Sequence, residues 1–329
     1  MDQSLPTFSV VILCWNSNQT LPACLHALNL QTCKDFEVLL VDNGSSDPLQ
    51  KDILEKYPLL KIHLYSLEKN IGFAAGNNYA AERARGKYLV LLNADAFPRP
   101  DWLECILVGI GKYPHSFFAS KLLIADHPER MDGAGDVYHA SGLAWRDAYN
   151  TLVSTRDDHE EEAFSACAAA AVYPLDAYQS AKGFDEDYFS YIEDVDLGFR
   201  LRIMGYKCIY LPDAVVSHVG SASTSRRSDL AVYYGQRNWV WTFFKDMPGV
   251  FLWLLFPLHL LANLLQIALG ISRGQGQVTL RAKRDAIREL PAIFRKRKQV
   301  QRARTVPVYK LLLAMDWNPV SPLVKLIHR

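Results

Sequence analysis

The sequence lacks the cysteine spacings that mark a zinc site or a disulfide framework, because its six cysteines in 329 residues include no CxxC pair. It also lacks an excess of charge of either sign, with 36 Lys and Arg against 35 Asp and Glu, so no overall electrostatic field favours nucleic acid. The N-terminal apolar run is too short for a secretory signal peptide and has an acid before it. These absences predict a protein of the reducing cytosol.

Half of the residues are hydrophobic, which is enough for a large core. Four apolar runs rich in strand-forming residues occur at 8–13, 36–41, 61–65 and 87–92, and a helical pattern follows each run. This alternation predicts an α/β fold with a parallel sheet that is covered by helices on both faces. Ligands of such sheets bind at the carboxyl ends of the strands.

Polar residues stand at the end of each predicted strand: Asn16, Asp42, Asn70 and Asp95. We expect them to converge on one crevice. DNGSSD also consists of residues that favour a turn, and NIGFAAGNN fits a helix cap as well as a ligand contact. The glycines of NIGFAAGNN do not follow the GxGxxG spacing, so a dinucleotide site is disfavoured.

Asp95 lies within the sequence NADA. Burying its charged carboxylate at the end of a central strand would cost free energy unless a ligand or an ion binds it. Its economical partner is Mg²⁺ or Mn²⁺ bridging a diphosphate, because these ions prefer carboxylate oxygen and keep phosphate and water as other ligands. His218 ends a later apolar strand, and there a ligand role and a core role are equally favoured.

The stretch GFDEDYFSYIEDVDLGFRLRIMGY predicts a helix that begins near Glu193. Leu197, Leu201 and Met204 form its apolar stripe, and Asp194 falls on the same stripe, so this carboxylate should point inward. An acid-rich first turn is also favoured by the helix dipole alone. That alternative explains Glu193 and Asp196 but not the inward Asp194.

Glu193, Asp196 and Arg200 share a neighbouring face of this helix, where an ion pair could fix its position. Aromatic residues that include Tyr191 precede the helix. An inward acid beside flat side chains predicts a general base at the floor of a pocket, with Glu193 and Asp196 steering it or binding acceptor hydroxyls and Arg200 balancing their charge.

The composition changes after His218. Residues 251–270 are almost wholly apolar, and residues 271–310 contain twelve Lys or Arg against two acids. The run RKRKQVQRAR has no nucleic-acid motif and follows an apolar helix, so an anionic membrane surface is favoured over nucleic acid. His259, Asn263, Gln266 and Arg273 share one stripe, which predicts a helix lying in the membrane surface with that stripe wet, although 251–270 is long enough to span a bilayer.

Seven motifs occur in the order found in glycosyltransferase family 2, and the chain resembles its bacterial rhamnosyltransferase-like branch. These motifs are SVVILCWN, VLLVDNGSSD, NIGFAAGNN, YLVLLNADAFP, GFDEDYFSYIEDVDLGFRL, GYKCIYLPDAVVSHVGSAST and YYGQRNWVW. The resemblance covers roughly residues 8–241. It departs from the family at CAAAAVYP, which has Ala and Pro where many relatives carry a basic residue.

The resemblance implies a GT-A fold, a nucleotide-sugar donor, a divalent metal (Mg²⁺ or Mn²⁺) and inversion at the anomeric carbon. It implies that Asp42 binds the nucleoside, that Asp194 is the base, and that His218 helps to bind metal or diphosphate. NADA resembles a variant of the DxD motif, with Asn93 in place of the first acid and Asp95 on the metal. The residues expected to bind the donor are Asn16, Asp42, Asn70, Gly72, Asn93, Ala94 and Asp95.

We therefore expect a catalytic domain over 1–230, with a nucleotide-sugar half at 1–97 and an acceptor half at 98–230, and a basic helical module over 231–329. The favoured function is transfer of L-rhamnose from dTDP-L-rhamnose to a lipid-linked or cell-surface glycan precursor at the inner face of the cell membrane.

The alternatives are a UDP- or GDP-sugar donor, a polyprenyl phosphate acceptor, and a non-catalytic, membrane-bound glycan-binding subunit. A sugar nucleotidyltransferase is disfavoured, because residues 14–20 lack a glycine-rich loop with a basic residue.

Overall fold

The computed structural model of the protein describes residues 5–50, 52–220 and 228–327. The last four residues of the motif GYKCIYLPDAVVSHVGSAST lie outside the described residues. The strands are β1 (Phe8–Cys14), β2 (Phe36–Asp42), β3 (Ile62–Ser66), β4 (Tyr88–Leu92), β5 (Ala96–Pro98), β6 (Ser116–Ile124), β7 (His127–Gly133), β8 (Asp136–Tyr138), β9 (Ala144–Arg146), β10 (Glu161–Ala163), β11 (Ala170–Pro174) and β12 (Lys207–His218).

The helices alternate with the strands in the first half of the chain and follow one another in the last third. They are α1 (Leu21–Asn29), α2 (Asp52–Glu55), α3 (Phe73–Ala81), α4 (Trp102–Lys112), α5 (Leu175–Ser180), α6 (Glu193–Ile203), α7 (Asp229–Asp246), α8 (Phe251–Ser272), α9 (Gly276–Arg288), α10 (Leu290–Arg302), α11 (Val308–Leu313) and α12 (Ser321–Ile327).

One large sheet has the strand order β10-β12-β6-β11-β4-β1-β2-β3, with β5 paired to β12 and β7 to β6, while β8 and β9 form a separate hairpin. The strands β1 to β4 are parallel, as the alternation predicts. β11 runs antiparallel to both β4 and β6, so the other half of the sheet is mixed.

Helices cover both faces of the sheet, which confirms the predicted α/β fold class. In β1, Val10 and Ile12 belong to the core that includes α1 and α4, whereas Val11 belongs to the core that includes α3, α5 and α6. Successive strand side chains point to opposite faces, so an unbroken apolar run suits a strand buried on both sides. The buried strands thus give a rigid base for the polar residues that follow them.

The C-terminal helices share a third core with the catalytic part of the chain. Trp241 and Phe243 of α7 belong to the same buried cluster as Tyr138 and Phe199. The predicted boundary between residues 230 and 231 falls in the first turn of α7. The two predicted parts therefore pack together through α7.

α7 also holds the loop that leads into α6. The Asn238 side-chain amide donates hydrogen bonds to the carbonyl groups of Tyr188, Ser190 and Tyr191, at 3.1, 3.0 and 2.7 Å. This loop needs such support, because Phe189, Tyr191 and Ile192 all have φ between +64° and +70°, a region that is unfavourable for residues with a side chain.

α8 is the one helix among the described residues that is long and apolar enough to cross a membrane. The sequence predicts that its polar stripe is wet, but His259 and Gln266 of this stripe are buried against protein, whereas Arg273 at its end is exposed. His259 Nδ1 donates to the Ser141 carbonyl at 2.7 Å, and Gln266 Oε1 accepts from Lys283 Nζ of α9 at 2.7 Å. The sequence identifies which residues share a face of the helix, but not what that face contacts.

Candidate active site

A cavity of about 1360 Å³ is lined by residues that directly follow β1, β2 and β4, by the start of α6 and by the C-terminal helices. Most of the predicted site residues line it: Asn16, Asn70, Asn93, Ala94, Asp95, Tyr191, Glu193, Asp194 and His218. The expected convergence of the strand ends on one crevice is therefore present. Asp42, Gly72, Asp196 and Arg200 are absent from the described residues that line the cavity.

Asp42 lies under the loop after β2 rather than at the cavity wall. Its Oδ1 accepts from the Ser45 amide and its Oδ2 from the Leu49 amide, both at 3.0 Å. The side chain of Asn16 ties this loop to the end of β1 by accepting from the amide and hydroxyl of Ser46, both at 3.0 Å. These bonds show that Asp42 shapes the loop after β2, while the nucleoside contact that the resemblance implies stays a prediction.

Asn43 and Asn70 both line the cavity and are hydrogen-bonded to each other. Asn43 Nδ2 donates to Asn70 Oδ1 at 3.1 Å, and the same oxygen accepts from the Gly72 amide at 2.8 Å. Gly72 has a φ of +92°, and a Cβ atom there would lie 2.6 Å from the Phe189 ring. Gly72 thus permits a close approach between the start of α3 and the loop before α6, and its predicted donor contact stays a prediction.

Asp95 and His218 face each other at the cavity wall, with Oδ1 and Nε2 3.4 Å apart. His218 Nδ1 lies 2.7 Å from Asp132 Oδ2, and Asn93 Nδ2 lies 3.3 Å from Nε2. In the neutral ring, Nδ1–H donates to Asp132, so Nε2 is the unprotonated nitrogen. Burial lowers the pKa of His218, but its bonds with Asp132 and Asp95 raise that pKa overall.

This pair provides only two ligands for a divalent ion. No group of three or more His, Cys, Asp or Glu side chains that could hold a metal exists among residues 5–50, 52–220 and 228–327. Mg²⁺ and Mn²⁺ are commonly held by one or two protein groups together with phosphate oxygens and water. Asp95 and His218 therefore fit an ion that arrives with a diphosphate rather than a permanently loaded metal centre.

Asp194 stands in the first turn of α6, half-buried at the cavity wall. Its Oδ2 accepts from the Ala168 amide at 3.1 Å, and its Oδ1 accepts from the Val195 amide at 2.9 Å. Burial raises the pKa of Asp194, although these amides lower it. Burial and the nearby Asp194 also raise the pKa of Glu193, which is itself buried. Raised pKa values suit a carboxylate that must remove a proton.

Asp196 and Arg200 lie behind the cavity in a buried ion-pair network. Asp196 Oδ2 accepts a hydrogen bond from Arg200 Nε at 2.9 Å and forms an ion pair with Arg200 Nη2 at 2.7 Å. Its Oδ1 forms an ion pair with Lys245 Nζ at 2.5 Å and accepts from the Tyr188 hydroxyl at 3.1 Å. The predicted ion pair of α6 is present. The predicted contact of Asp196 with an acceptor hydroxyl is wrong, because both of its oxygens are engaged in this fully buried network.

Arg146 is a cavity residue that the sequence patterns miss. It forms an ion pair with Asp132, the partner of His218, and it lies opposite Asp136 in the β8–β9 hairpin. Burial lowers the pKa of Arg146, but the acidic groups around it raise that pKa above its ordinary value. These groups are Cys167, Asp132, Asp136 and Asp194.

A three-residue strand such as β9 has no readable periodicity, so the sequence carried little signal for it. Arg146 supplies a positive charge among acids that would otherwise repel one another.

The parallel half-sheet, the acid after β4 and the acid at the start of α6, all meeting at one cavity, define a glycosyltransferase with a GT-A fold. Two family models match the chain: "Glycosyl transferase family 2" over residues 9–134 and "Glycosyl transferase family group 2" over residues 88–273, more than half of the sequence. The chain therefore belongs to glycosyltransferase family 2, and it is an enzyme rather than a binding subunit.

A similar protein in Mycobacterium tuberculosis is the N-acetylglucosaminyl-diphospho-decaprenol L-rhamnosyltransferase, 26% identical over 249 residues, which are 68% of this chain and 80% of that protein. This likeness supports the resemblance to the rhamnosyltransferase-like branch.

Solved structures share the fold at low identity. One is S. aureus TarS 1-349 in complex with UDP-GlcNAc, with a TM-score of 0.59, 17% identity, and coverage of 90% of this chain and 87% of that one. Another is the mannosyltransferase PcManGT from Pyrobaculum calidifontis in complex with GDP-Man and Mn²⁺, with a TM-score of 0.56, 18% identity, and coverage of 99% and 88%.

Proposed function

We propose that the protein transfers a sugar from a nucleotide-sugar donor to a hydroxyl group of a lipid-linked glycan precursor, with inversion at the anomeric carbon. The observation that carries this proposal is that Asp95 and Asp194 line the same cavity, one after β4 and the other at the start of α6. The favoured donor is dTDP-L-rhamnose, because the similar M. tuberculosis protein is named as an L-rhamnosyltransferase.

In this reaction Asp194 removes the proton from the acceptor hydroxyl as the oxygen attacks the anomeric carbon. The amides of Ala168 and Val195 hold the carboxylate in place, and burial raises the pKa of Asp194 and so its affinity for the proton. Inversion needs no nucleophilic residue, so one base is enough. Asp95 and His218 would hold Mg²⁺ or Mn²⁺, which stabilises the charge on the departing diphosphate.

A donor screen tests the reaction class directly. We expect dTDP-L-rhamnose with Mn²⁺ to raise the melting temperature more than UDP-GlcNAc or GDP-mannose, because binding to the folded state alone stabilises it. The anomeric configuration of the product, measured by NMR, should be opposite to that of the donor. A preference for a UDP- or GDP-sugar would change the identity of the donor but leave the proposed mechanism intact. A product with retained configuration would contradict the role of Asp194.

We also propose that the outer face of α8 lies in the cytoplasmic surface of the membrane. Leu254, Leu258, Leu261 and Leu265 recur at helical spacing on this face and are all exposed, while the polar stripe is used against protein. A contiguous apolar face of this kind marks a membrane or protein contact. The basic helices α9 and α10 follow directly and suit anionic headgroups.

The double variant Leu254→Glu/Leu261→Glu tests this membrane proposal. We expect it to shift the protein from the membrane fraction to the soluble fraction without unfolding it, because these two side chains are 63% and 54% exposed. Leu59→Glu is the matched control, since Leu59 is 82% exposed in the donor half.

A double variant that stays in the membrane after carbonate washing would contradict the proposal. Tags at the two chain ends on opposite sides of the membrane would indicate instead that α8 spans it.

A further inference from the structure

The cavity has a second end, away from the strand ends, that the proposed transfer reaction leaves unexplained. It is formed by the end of α8, the start of α9 and the helix α12, and its residues include Gln266, Arg273, Gln275, Thr279 and Lys325. The acidic residues among the described lining are Asp95, Asp136, Glu193 and Asp194, all from the catalytic half. The described lining of this second end therefore contains two basic residues, Arg273 and Lys325, and no acidic one.

The start of α9 adds to the positive character of this end. The helix is 13 residues long, and its first turn contains no acidic residue. The first N–H groups of a helix have no partner within it, and the helix dipole places partial positive charge there. Such a terminus binds phosphate groups when other contacts support it.

Two buried polar side chains at this end also indicate a ligand. Gln266 is 2% exposed and Thr279 is 1% exposed, and within the described part of the chain neither Gln266 Nε2 nor Thr279 Oγ1 has a hydrogen-bond partner. Lys283 Nζ donates to Gln266 Oε1 at 2.7 Å, which sets the orientation of the amide. This leaves Nε2 as a donor. Buried polar groups without partners are uncommon and call for an explanation.

We propose that this end of the cavity binds the diphosphate of a prenyl-linked acceptor, with Arg273 and Lys325 neutralising its charge, the start of α9 and Thr279 donating hydrogen bonds, and Gln266 donating through Nε2. The inference rests on the proposed transfer reaction and names its acceptor class. The exposed apolar face of α8, on the helix that carries Gln266 and ends beside Arg273, offers a place for the prenyl chain. The sugar of the acceptor then lies between this subsite and Asp194.

A phospholipid headgroup carries a similar charge, but the subsite opens into the same cavity as Asp194. A prenyl-linked acceptor must place its diphosphate and its sugar hydroxyl in one cavity, so that the hydroxyl reaches Asp194. A phospholipid headgroup has no such requirement. The two sources are therefore separated by experiment, with the prenyl diphosphate as the ligand that the geometry favours.

Binding of farnesyl diphosphate to the full chain in uncharged detergent micelles, with a chelator present, tests the subsite by calorimetry. The chelator removes any binding through a metal at Asp95. We expect Arg273→Ala and Lys325→Ala each to weaken binding by about tenfold, since a hydrogen bond to a charged group contributes about 1.5–3 kcal/mol. Thr279→Val should weaken it by severalfold. Arg302→Ala is the matched control, because Arg302 is an exposed cation of α10 outside the lining residues, and it should bind as the parent does.

Three further ligands separate the possible outcomes. Farnesol should bind weakly, which would show that the phosphates matter. Phosphatidylglycerol that binds as tightly, with the same sensitivity to Arg273→Ala, would overturn the proposal in favour of a headgroup site. If inorganic pyrophosphate binds as tightly as farnesyl diphosphate, the prenyl chain does not contribute to binding, and the proposal of a prenyl-linked acceptor is overturned.

Unchanged farnesyl diphosphate affinity in all the variants would also overturn the subsite. Binding of dTDP with Mn²⁺, measured on the same variants, reports on the donor site separately. Loss of the subsite and failure of the transferase proposal can thus be told apart.

Discussion

Replacing Asp194 by asparagine should lower the transfer rate by about 10²- to 10⁴-fold, the usual contribution of a general base. Nucleotide-sugar affinity should stay nearly unchanged, because Asp194 acts on the acceptor hydroxyl at the α6 side of the cavity. The amide of asparagine keeps the shape of the side chain and can still accept from the Ala168 amide through its oxygen. Steady-state rates with saturating donor, together with donor binding by calorimetry, measure both expectations.

Asp196→Asn is the informative comparison, because it changes a neighbouring acid of the same helix. Asp196 is buried against Arg200 and Lys245, and breaking a buried ion pair by removing one partner costs about 3–5 kcal/mol. Its main effect should therefore be a lower melting temperature, whereas Asp194→Asn should melt close to the parent. An Asp194→Asn enzyme that keeps more than half of the parent rate would contradict its role as the base.

Chelation of divalent ions should abolish transfer, and Asp95→Ala should weaken the binding of the nucleoside diphosphate. Loss of residues that merely support a ligand costs about 10- to 100-fold in metal affinity, so loss of the ligand Asp95 should cost at least as much. His218→Ala should act in the same direction but more weakly, since water can partly replace one imidazole. Calorimetry with dTDP, with and without Mn²⁺, measures the metal-dependent part of the affinity.

Asp52→Ala provides the control for this second experiment, since Asp52 is an exposed acid that pairs with Lys56 on α2. It should bind nucleotide as the parent does. If Asp95→Ala also binds dTDP and Mn²⁺ like the parent, or if transfer continues in the presence of a chelator, then Asp95 only ends its strand and the proposed metal site is wrong.

The sequence predicted those parts of the site that depend on local patterns. The apolar runs that became β1, β2 and β4 are almost wholly buried, and the edge strand β3 is half-buried. The parallel arrangement of these strands brings Asn16, Asn70 and Asp95 to one edge. α6 begins at Glu193 as predicted, because its apolar stripe continues through Leu197 and Leu201 into a buried core. The helical periodicity of the apolar residues and the alternation of strands with helices were enough to place these residues.

The remaining parts depend on contacts between segments that are distant in the chain. Arg146 reaches the cavity from a three-residue strand, and its partner Asp132 belongs to a different strand. The Asp42 side chain faces amides of its own loop, which strand-end position alone does not reveal. The polar stripe of α8 was identified correctly as a stripe, but only the packing of α8 on Ser141 and Lys283 shows that it contacts protein.

The hydrogen bonds of Asn238 to the loop before α6 bear on how members of this family can be recombined. The loop keeps three side-chain-bearing residues at positive φ, at a cost of about 1–3 kcal/mol each, and the amide that holds it belongs to α7, the helix that leads to α8. A chimaera joined at residue 230 would separate this amide from the loop it evolved with. We therefore expect that residues from Tyr188 through Asp246 must be exchanged together between relatives, and that α8 cannot be grafted without them.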